Sequence, residues 1–311
     1  MILSDASPTV VTPGNHDGVH LGHRALISTA RDLAARAGLA TMGMCFDPHP
    51  TAVLAPDRAP VLLTPMTRRV ELMRGAGCDD VAVLAFDHAF AQTSPEVFVQ
   101  RVLVERCRAR AVVVGPDFHF GRKRAGNVDT LRALGREHGF SVDVVRPVLF
   151  EGESVSSTRL RRLLAEEGDV ASVARMLTRV HDVDGVVVQG DQRGRTIGFP
   201  TANLSLPEVQ LPADGVYAVA VSIQGRPGER LLGVANLGKR PTFAAGRSVE
   251  VHLFDFDGDL YGRTLRVGFV ARVRPEQRFS GVEALVAQIQ LDCERARAAL
   301  VATDEELLRW I

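Results

Sequence analysis

Between residues 9 and 145, short apolar, β-branched runs take turns with longer stretches of helical period, and no other feature narrows the choice of fold as far. The runs are "TVV", "LATMGMCF", "VAVLAF", "AVVVG" and "SVDVV". Helical patterns lie between them at Leu21 to Ala37, Thr67 to Ala76, Pro95 to Arg108 and Val128 to His138. Strand and helix in alternation predict an α/β unit: a parallel sheet with helices on both faces. In such sheets ligands bind beyond the carboxyl ends of the strands, where the strand order reverses. Three polar segments fall at those ends: "TPGNHDG" after the first run, "DPHP" after Phe46 and "GPDFHFG" after Val114.

Two short helical patterns follow, "STRLRRLLAEEG" and "DVASVARML", and read as a connector. Beyond Leu177 the texture changes to runs such as "DGVVVQGD", "GVYAVAVSI", "RLLGVANLG", "VEVHLFDF" and "LRVGFVARV", divided by Gly, Pro and Asp. That spacing predicts a small antiparallel barrel. A helical period returns at Gly281 to Leu300, in a helix expected to pack on the barrel. A chain of 311 residues can bury two cores. The expected division is 1–155 for the α/β domain, 156–180 for the connector and 181–311 for the barrel.

The chain has 37 basic and 37 acidic side chains, so no broad field favours nucleic acid or an anionic membrane. Any anion site must be local. Four scattered cysteines without a C-x-x-C pair fit thiols of a reducing compartment. "MILSDASPTVV" has no basic region followed by an apolar one, and no run of about 18 uncharged apolar residues occurs. A soluble, cytoplasmic protein is expected.

In "GNHDGVHLGH", His20 and His23 stand at i, i+3 where a strand turns into a helix, so their rings share one face of the first turn. A helix N-terminus attracts anions. Gly14, Gly18 and Gly22 would let phosphates approach the backbone. The segment therefore reads as a triphosphate cradle holding Asp17 as well; a metal pair and purely structural histidines are the alternatives.

The pattern G-x-x-D-G-x-H-x-G-H resembles the signature of the nucleotidylyltransferase superfamily, whose domain is Rossmann-like. That signature's second half is an S/T-x-x-R motif, supplied by "VSSTRLR", where Ser157 and Thr158 can cap a helix and donate to phosphate and Arg161 projects one turn on. The chemistry needs no protein nucleophile. The resemblance implies that an acceptor phosphate attacks the α-phosphorus of ATP, that His20, His23 and Arg161 would supply hydrogen bonds and charge, and that Mg2+ sits on the phosphates.

The second dense segment is "GDQRGRTIGFPTANL", Gly190 to Leu204. Its arginines among glycines fit an exposed hairpin equally well. "PTAN" sets Thr201 and Asn203 two apart, so that on a strand they share one face and can reach one Mg2+ ion. Glu250 opens a strand whose neighbours Val249 and Val251 face the other way. Its carboxylate is either a surface charge or a general base.

With "LPADGVYAV", "GVANLGKRPTF", "VEVHLFDFDGDLYG" and "RPEQRF", the chain from about Val10 to Leu300 is similar to the prokaryotic bifunctional riboflavin kinase/FAD synthetase family. The resemblance implies an FMN adenylyltransferase domain followed by a six-stranded riboflavin kinase barrel. Substrates are then riboflavin, FMN and ATP, and FMN and FAD are products. It implies Mg2+ held by Thr201 and Asn203, and Glu250 deprotonating the ribityl 5′-hydroxyl. It also implies ATP phosphates under Gly190, Arg193, Gly194 and Arg195, and a flavin pocket lined by Phe46, Asp117 and Phe120. Two positions depart from the family pattern. His16 replaces the Phe of G-N-F-D-G, and "LTRVH", Leu177 to His181, replaces L-G-R-P-Y. A divergent paralogue with one activity, or a binding protein without turnover, is the competing reading.

Overall fold

The structure, a computed structural model, describes residues 7–190, 193–226, 228–239 and 247–311, without the side chains of Arg193 and Lys239. The chain divides into two compact units, Met1–Ser157 and Thr158–Ile311.

The first unit runs β1 (Thr9–Pro13), α1 (Leu21–Ala37), β2 (Ala40–Asp47), α2 (Pro50–Leu54), α3 (Met66–Gly75) and β3 (Asp80–Ala85). It continues with α4 (Pro95–Phe98), β4 (Ala109–Val114), α5 (Val128–His138) and β5 (Ser141–Val144). A short hairpin, β6 (Leu149–Phe150) and β7 (Glu153–Ser154), ends it. The five main strands are parallel in the order β3-β2-β1-β4-β5, so the order reverses between β1 and β4.

β1 is buried along its whole length because both sheet faces are covered. On one face Val10, Ala111 and Val113 meet Ala30 and Ala34 of α1. On the other, Val11, Val112 and Val114 pack with Leu103 and with Leu131 and Leu134 of α5. Helix ends follow local chemistry. Gly38 and Gly139 take left-handed φ of 67° and 78° to close α1 and α5, and the Asn127 side chain caps the start of α5. The helix expected from Pro95 to Arg108 is instead one α-turn running into a π-helical segment, Val99–Arg106. There Cys107 N–H donates to the Val102 carbonyl five residues back, which keeps Val99, Val102 and Leu103 in the core.

The second unit opens with α6 (Ser157–Arg162), whose first residue belongs to the first unit, and α7 (Val170–Leu177). The rest is β8 (His181–Val188), α8 (Arg193–Thr196), β9 (Ala202–Ser205), β10 (Gly215–Ile223), β11 (Arg230–Lys239), β12 (Arg247–Leu253), β13 (Thr264–Pro275), α9 (Val282–Val301) and α10 (Glu305–Leu308). Six strands close a barrel in the order β10-β11-β12-β9-β8-β13, every pair antiparallel. Val216, Ala218 and Ala220 of β10 pack with Ala296 and Leu300 of α9 on the outside. By alternation Tyr217, Val219 and Val221 face the barrel interior. α7 packs on β8 and β13, so most of the expected connector is part of this unit.

"LTRVH" is structural. Arg179 and Asp182 form a buried ion pair at 2.8 Å, and His181 donates from Nε2 to the Gln210 carbonyl at 2.7 Å while its ring stacks near Phe269. All four cysteines are free, and burial pushes the Cys45 and Cys78 thiols up to about 12.

Candidate active sites of the two units

The turn after β1 sits beside the point where the strand order reverses. Three backbone constraints shape it: His16, Gly18 and Val19 all take positive φ, of 48°, 86° and 47°. For a β-branched valine this is a strained conformation, and it persists only where the surroundings enforce it. Asp17 does the enforcing. Its buried carboxylate accepts from Leu63 N–H at 3.0 Å, Thr64 N–H at 3.0 Å, the Thr64 hydroxyl at 3.1 Å and Arg69 Nη2 at 3.1 Å. Arg69, itself fully buried, also donates to the carbonyls of Asn15 and Thr64, and Gly18 N–H donates to Thr64 Oγ1. Thr64 and Arg69 carry no sequence signal that pointed to them. They lie about fifty residues from the turn they hold.

The histidines gather as their spacing predicts. His20 is the N-cap residue of α1, and its ring stacks on that of His23 at 3.7 Å; the His16 ring meets His23 edge-on at 5.0 Å. Burial holds His23 well below its usual value, with His20 adding to the effect. Burial likewise lowers His16 to about 4, against a hydrogen bond to the Thr12 carbonyl that pulls the other way. The His16 and His23 rings are therefore neutral at neutral pH. Gly14 and Gly22 make room for them: a Cβ on Gly14 would lie 3.2 Å from His16 Nε2, and one on Gly22 3.1 Å from His20 Cε1. Only Gly18 is needed for a left-handed backbone.

Ser157, at the start of α6, donates its hydroxyl to the Asp17 carbonyl at 2.8 Å. The next residue, Thr158, is exposed, and Arg161 lies one helical turn further on. The Asn15 amide meets His49 Nε2 of "DPHP" at 3.0 Å, which ties the turn after β1 to the turn after β2. Phe46 is half-buried beside Phe86 and Phe90, and Phe120 is buried against Phe98 and Phe118. Asp117 is exposed on its loop.

In the barrel, β12 begins at Arg247, so Glu250 is its fourth residue rather than its first. Val249, Val251 and Leu253 are buried, while Ser248, Glu250 and His252 alternate with them on the other face. The register pairs Glu250 with Asn203 and Val251 with Ala202. Directly opposed residues share a face, so Glu250 and Asn203 look the same way. A Cβ on Gly190 would lie 2.3 Å from Asn203 Nδ2, so the loop reaches Asn203 only because that residue is glycine.

Two cavities meet here. One, of about 500 Å³, is lined by Arg195, Pro200, Thr201 and the 256–261 segment. The other, of about 370 Å³, is lined by Gly194, Thr201, Asn236, Glu250 and His252, with Arg274 among the charged groups. Thr201 borders both. Among the proposed phosphate residues, the side chain of Arg193 and the adjoining residues 191 and 192 lie outside the described residues.

Comparison with known proteins agrees with this division. The FAD synthetase family model matches residues 2–159 and the riboflavin kinase family model residues 177–300. The chain is 40% identical over 291 residues to a bifunctional riboflavin kinase/FMN adenylyltransferase of Pseudomonas fluorescens, covering 93% of this chain and 92% of the relative. It is 40% identical over 289 residues to the Escherichia coli (strain K12) protein of the same description, covering 93% and 91%. A crystal structure from Streptococcus pneumoniae, described as a macrolide-efflux protein, matches with a TM-score of 0.84 at 32% identity over 94% of both chains. Among the described residues here no helix is long and apolar enough to cross a membrane. The chain belongs to the bifunctional riboflavin kinase/FMN adenylyltransferase family, and it converts riboflavin to FMN and FMN to FAD at the expense of ATP.

Proposed function

We propose that each unit carries one activity: FMN adenylylation around His20 and His23 in the first, riboflavin phosphorylation around Thr201 and Glu250 in the second. The observation that carries the kinase reading is that Thr201 borders two cavities, only one of which contains Glu250. ATP occupies the larger, and its phosphates reach past Thr201 toward the smaller, under Gly190, Arg193, Gly194 and Arg195. Riboflavin occupies the smaller. The Glu250 carboxylate accepts the proton of the ribityl 5′-hydroxyl as its oxygen attacks the γ-phosphorus, and ADP leaves.

Thr201 and Asn203 offer a hydroxyl and an amide oxygen, both uncharged, a donor set that suits Mg2+ brought in on ATP phosphates. No group of three His, Cys, Asp or Glu among the described residues offers a metal site built from protein alone. The bound ion would neutralise phosphate charge, and Thr201 and Asn203 would orient it beside Glu250.

In the first unit an FMN phosphate oxygen attacks the α-phosphorus of ATP and pyrophosphate leaves. His20 and His23 each donate an N–H to the phosphates, and Arg161, one turn beyond Ser157 on α6, balances the leaving charge. Gly14, Gly18, Gly22 and Thr158 border the phosphates, while Asp17 and Ser157 act by holding the turn. The flavin lies against Phe46, with Phe120 packing behind and Asp117 at the rim. Partners are small molecules, and the balanced charge offers no field for nucleic acid. The compartment is the cytoplasm.

The test is Glu250→Gln in the full chain, assayed with riboflavin, ATP and Mg2+ by chromatography. FMN formation should fall at least about a hundredfold while riboflavin still binds, since proton removal contributes about that much. Retained FMN formation would refute Glu250 as the base.

A further inference from the structure

We propose that His252 is a positioning residue for riboflavin phosphorylation, holding through Pro200 the segment of backbone from which Thr201 enters the site. The inference rests on the kinase roles proposed above for Thr201 and Glu250.

The β12–β9 ladder pairs Val249 with Leu204, Glu250 with Asn203 and Val251 with Ala202. Continued by one residue, it sets His252 opposite Thr201, but β9 begins only at Ala202. The backbone pairing has ended just where Thr201 must be placed. Four side chains thus belong to one face of the ladder or its extension: Glu250 and His252 from β12, Asn203 and Thr201 from the facing segment.

A side chain takes over where the ladder stops. His252 Nδ1 lies 2.8 Å from the Pro200 carbonyl. A carbonyl only accepts, so Nδ1 carries the proton and donates. Pro200 has no N–H of its own, which leaves its carbonyl as the group through which the strand can grip this peptide. The imidazole meets Phe199 edge-on at 5.5 Å and Phe254 edge-on at 6.1 Å, and this packing restricts its rotation. His252 lines the same 370 Å³ cavity as Thr201 and Glu250.

Phosphoryl transfer depends on placing the γ-phosphorus, the hydroxyl and the base in line, and a displacement of about 1 Å costs on the order of a hundredfold in rate. Phe199 N–H also donates to the Gly194 carbonyl at 2.8 Å, so the His252 bond is what ties this segment to β12 in particular. His252 itself donates no proton to substrate in this scheme.

The experiment compares His252→Leu, His252→Phe and His252→Asn in the full chain, measuring kcat and KM for each substrate of FMN formation. Asn places an amide N–H where the imidazole Nδ1 stands; Phe keeps the ring without the donor. Leu and Phe should each lower kcat about tenfold or more and raise KM for ATP with Mg2+. Asn should recover most of the loss. Thermal melts identify any variant that loses fold, in which case the Asn–Phe comparison decides. Phe matching the parent, or Asn as impaired as Phe, would overturn the proposal, because ring packing would then account for the residue. Glu250→Gln run in parallel separates the two readings: if it keeps FMN formation, the kinase site has been misread, whereas if it fails and His252 is indifferent, only this inference falls.

Discussion

His16 combines a left-handed backbone, a buried ring and a titration held down to about 4, beside the two histidines assigned to phosphate. Because burial lowers its folded value below the usual 6.5, the unfolded chain takes up the proton first as pH falls. Stability is therefore complete above about pH 6.5 and is lost progressively toward pH 4, by up to about 3 kcal/mol. His23, shifted in the same direction, adds to that slope. Urea unfolding of the apo-protein from pH 7 to 4.5 should show the decline. His16→Phe should flatten it in part, without abolishing it, since His23 remains; an unchanged slope would contradict the assignment. Arg69 is the second residue to test. Arg69→Met leaves the Asp17 carboxylate buried without its cation, which should cost about 3–5 kcal/mol in the same measurement and lower FMN adenylylation by loosening the turn.

At the scale of elements, the sites are places where regular structure stops under control. β9 begins one residue after Thr201, and the turn after β1 has three positive φ angles. Gly190→Ala tests the first of these places. Its new Cβ would fall 2.3 Å from the Asn203 amide, so FMN formation should drop more than tenfold while FMN adenylylation is unchanged. Equal loss of both activities would show that the substitution disturbs more than this approach.

The same contrast explains what could be read from sequence. α1 was legible to the residue because a glycine stop and an apolar stripe are local signals, and the five parallel strands followed from alternation alone. The pairing of His20 with His23 was legible too, being a matter of i, i+3 spacing. The brace of Asp17 by Thr64 and Arg69 was not, because it joins segments 47 to 52 residues apart and leaves no periodic trace. The π-helical stretch before Cys107 has the same apolar pattern as an α-helix until the hydrogen bonds are seen. Glu250 and Asn203 stood out by residue type, but their opposition required the register.

For the whole molecule, the central claim is that one chain carries two independent sites acting in sequence on one flavin. The two reactions attack different phosphorus atoms of ATP, α in one and γ in the other, so a single constellation of donors cannot align both. Independence has a direct test by complementation. Glu250→Gln should make FAD from FMN but not from riboflavin, and the His20→Ala/His23→Ala double variant should stop at FMN. Mixed in one tube with riboflavin, ATP and Mg2+, the two should form FAD that neither forms alone, as resolved by chromatography. No FAD from the mixture, with each variant still performing its own step, would show that FMN must pass within one chain. Loss of both steps in either variant would contradict the two-site account outright.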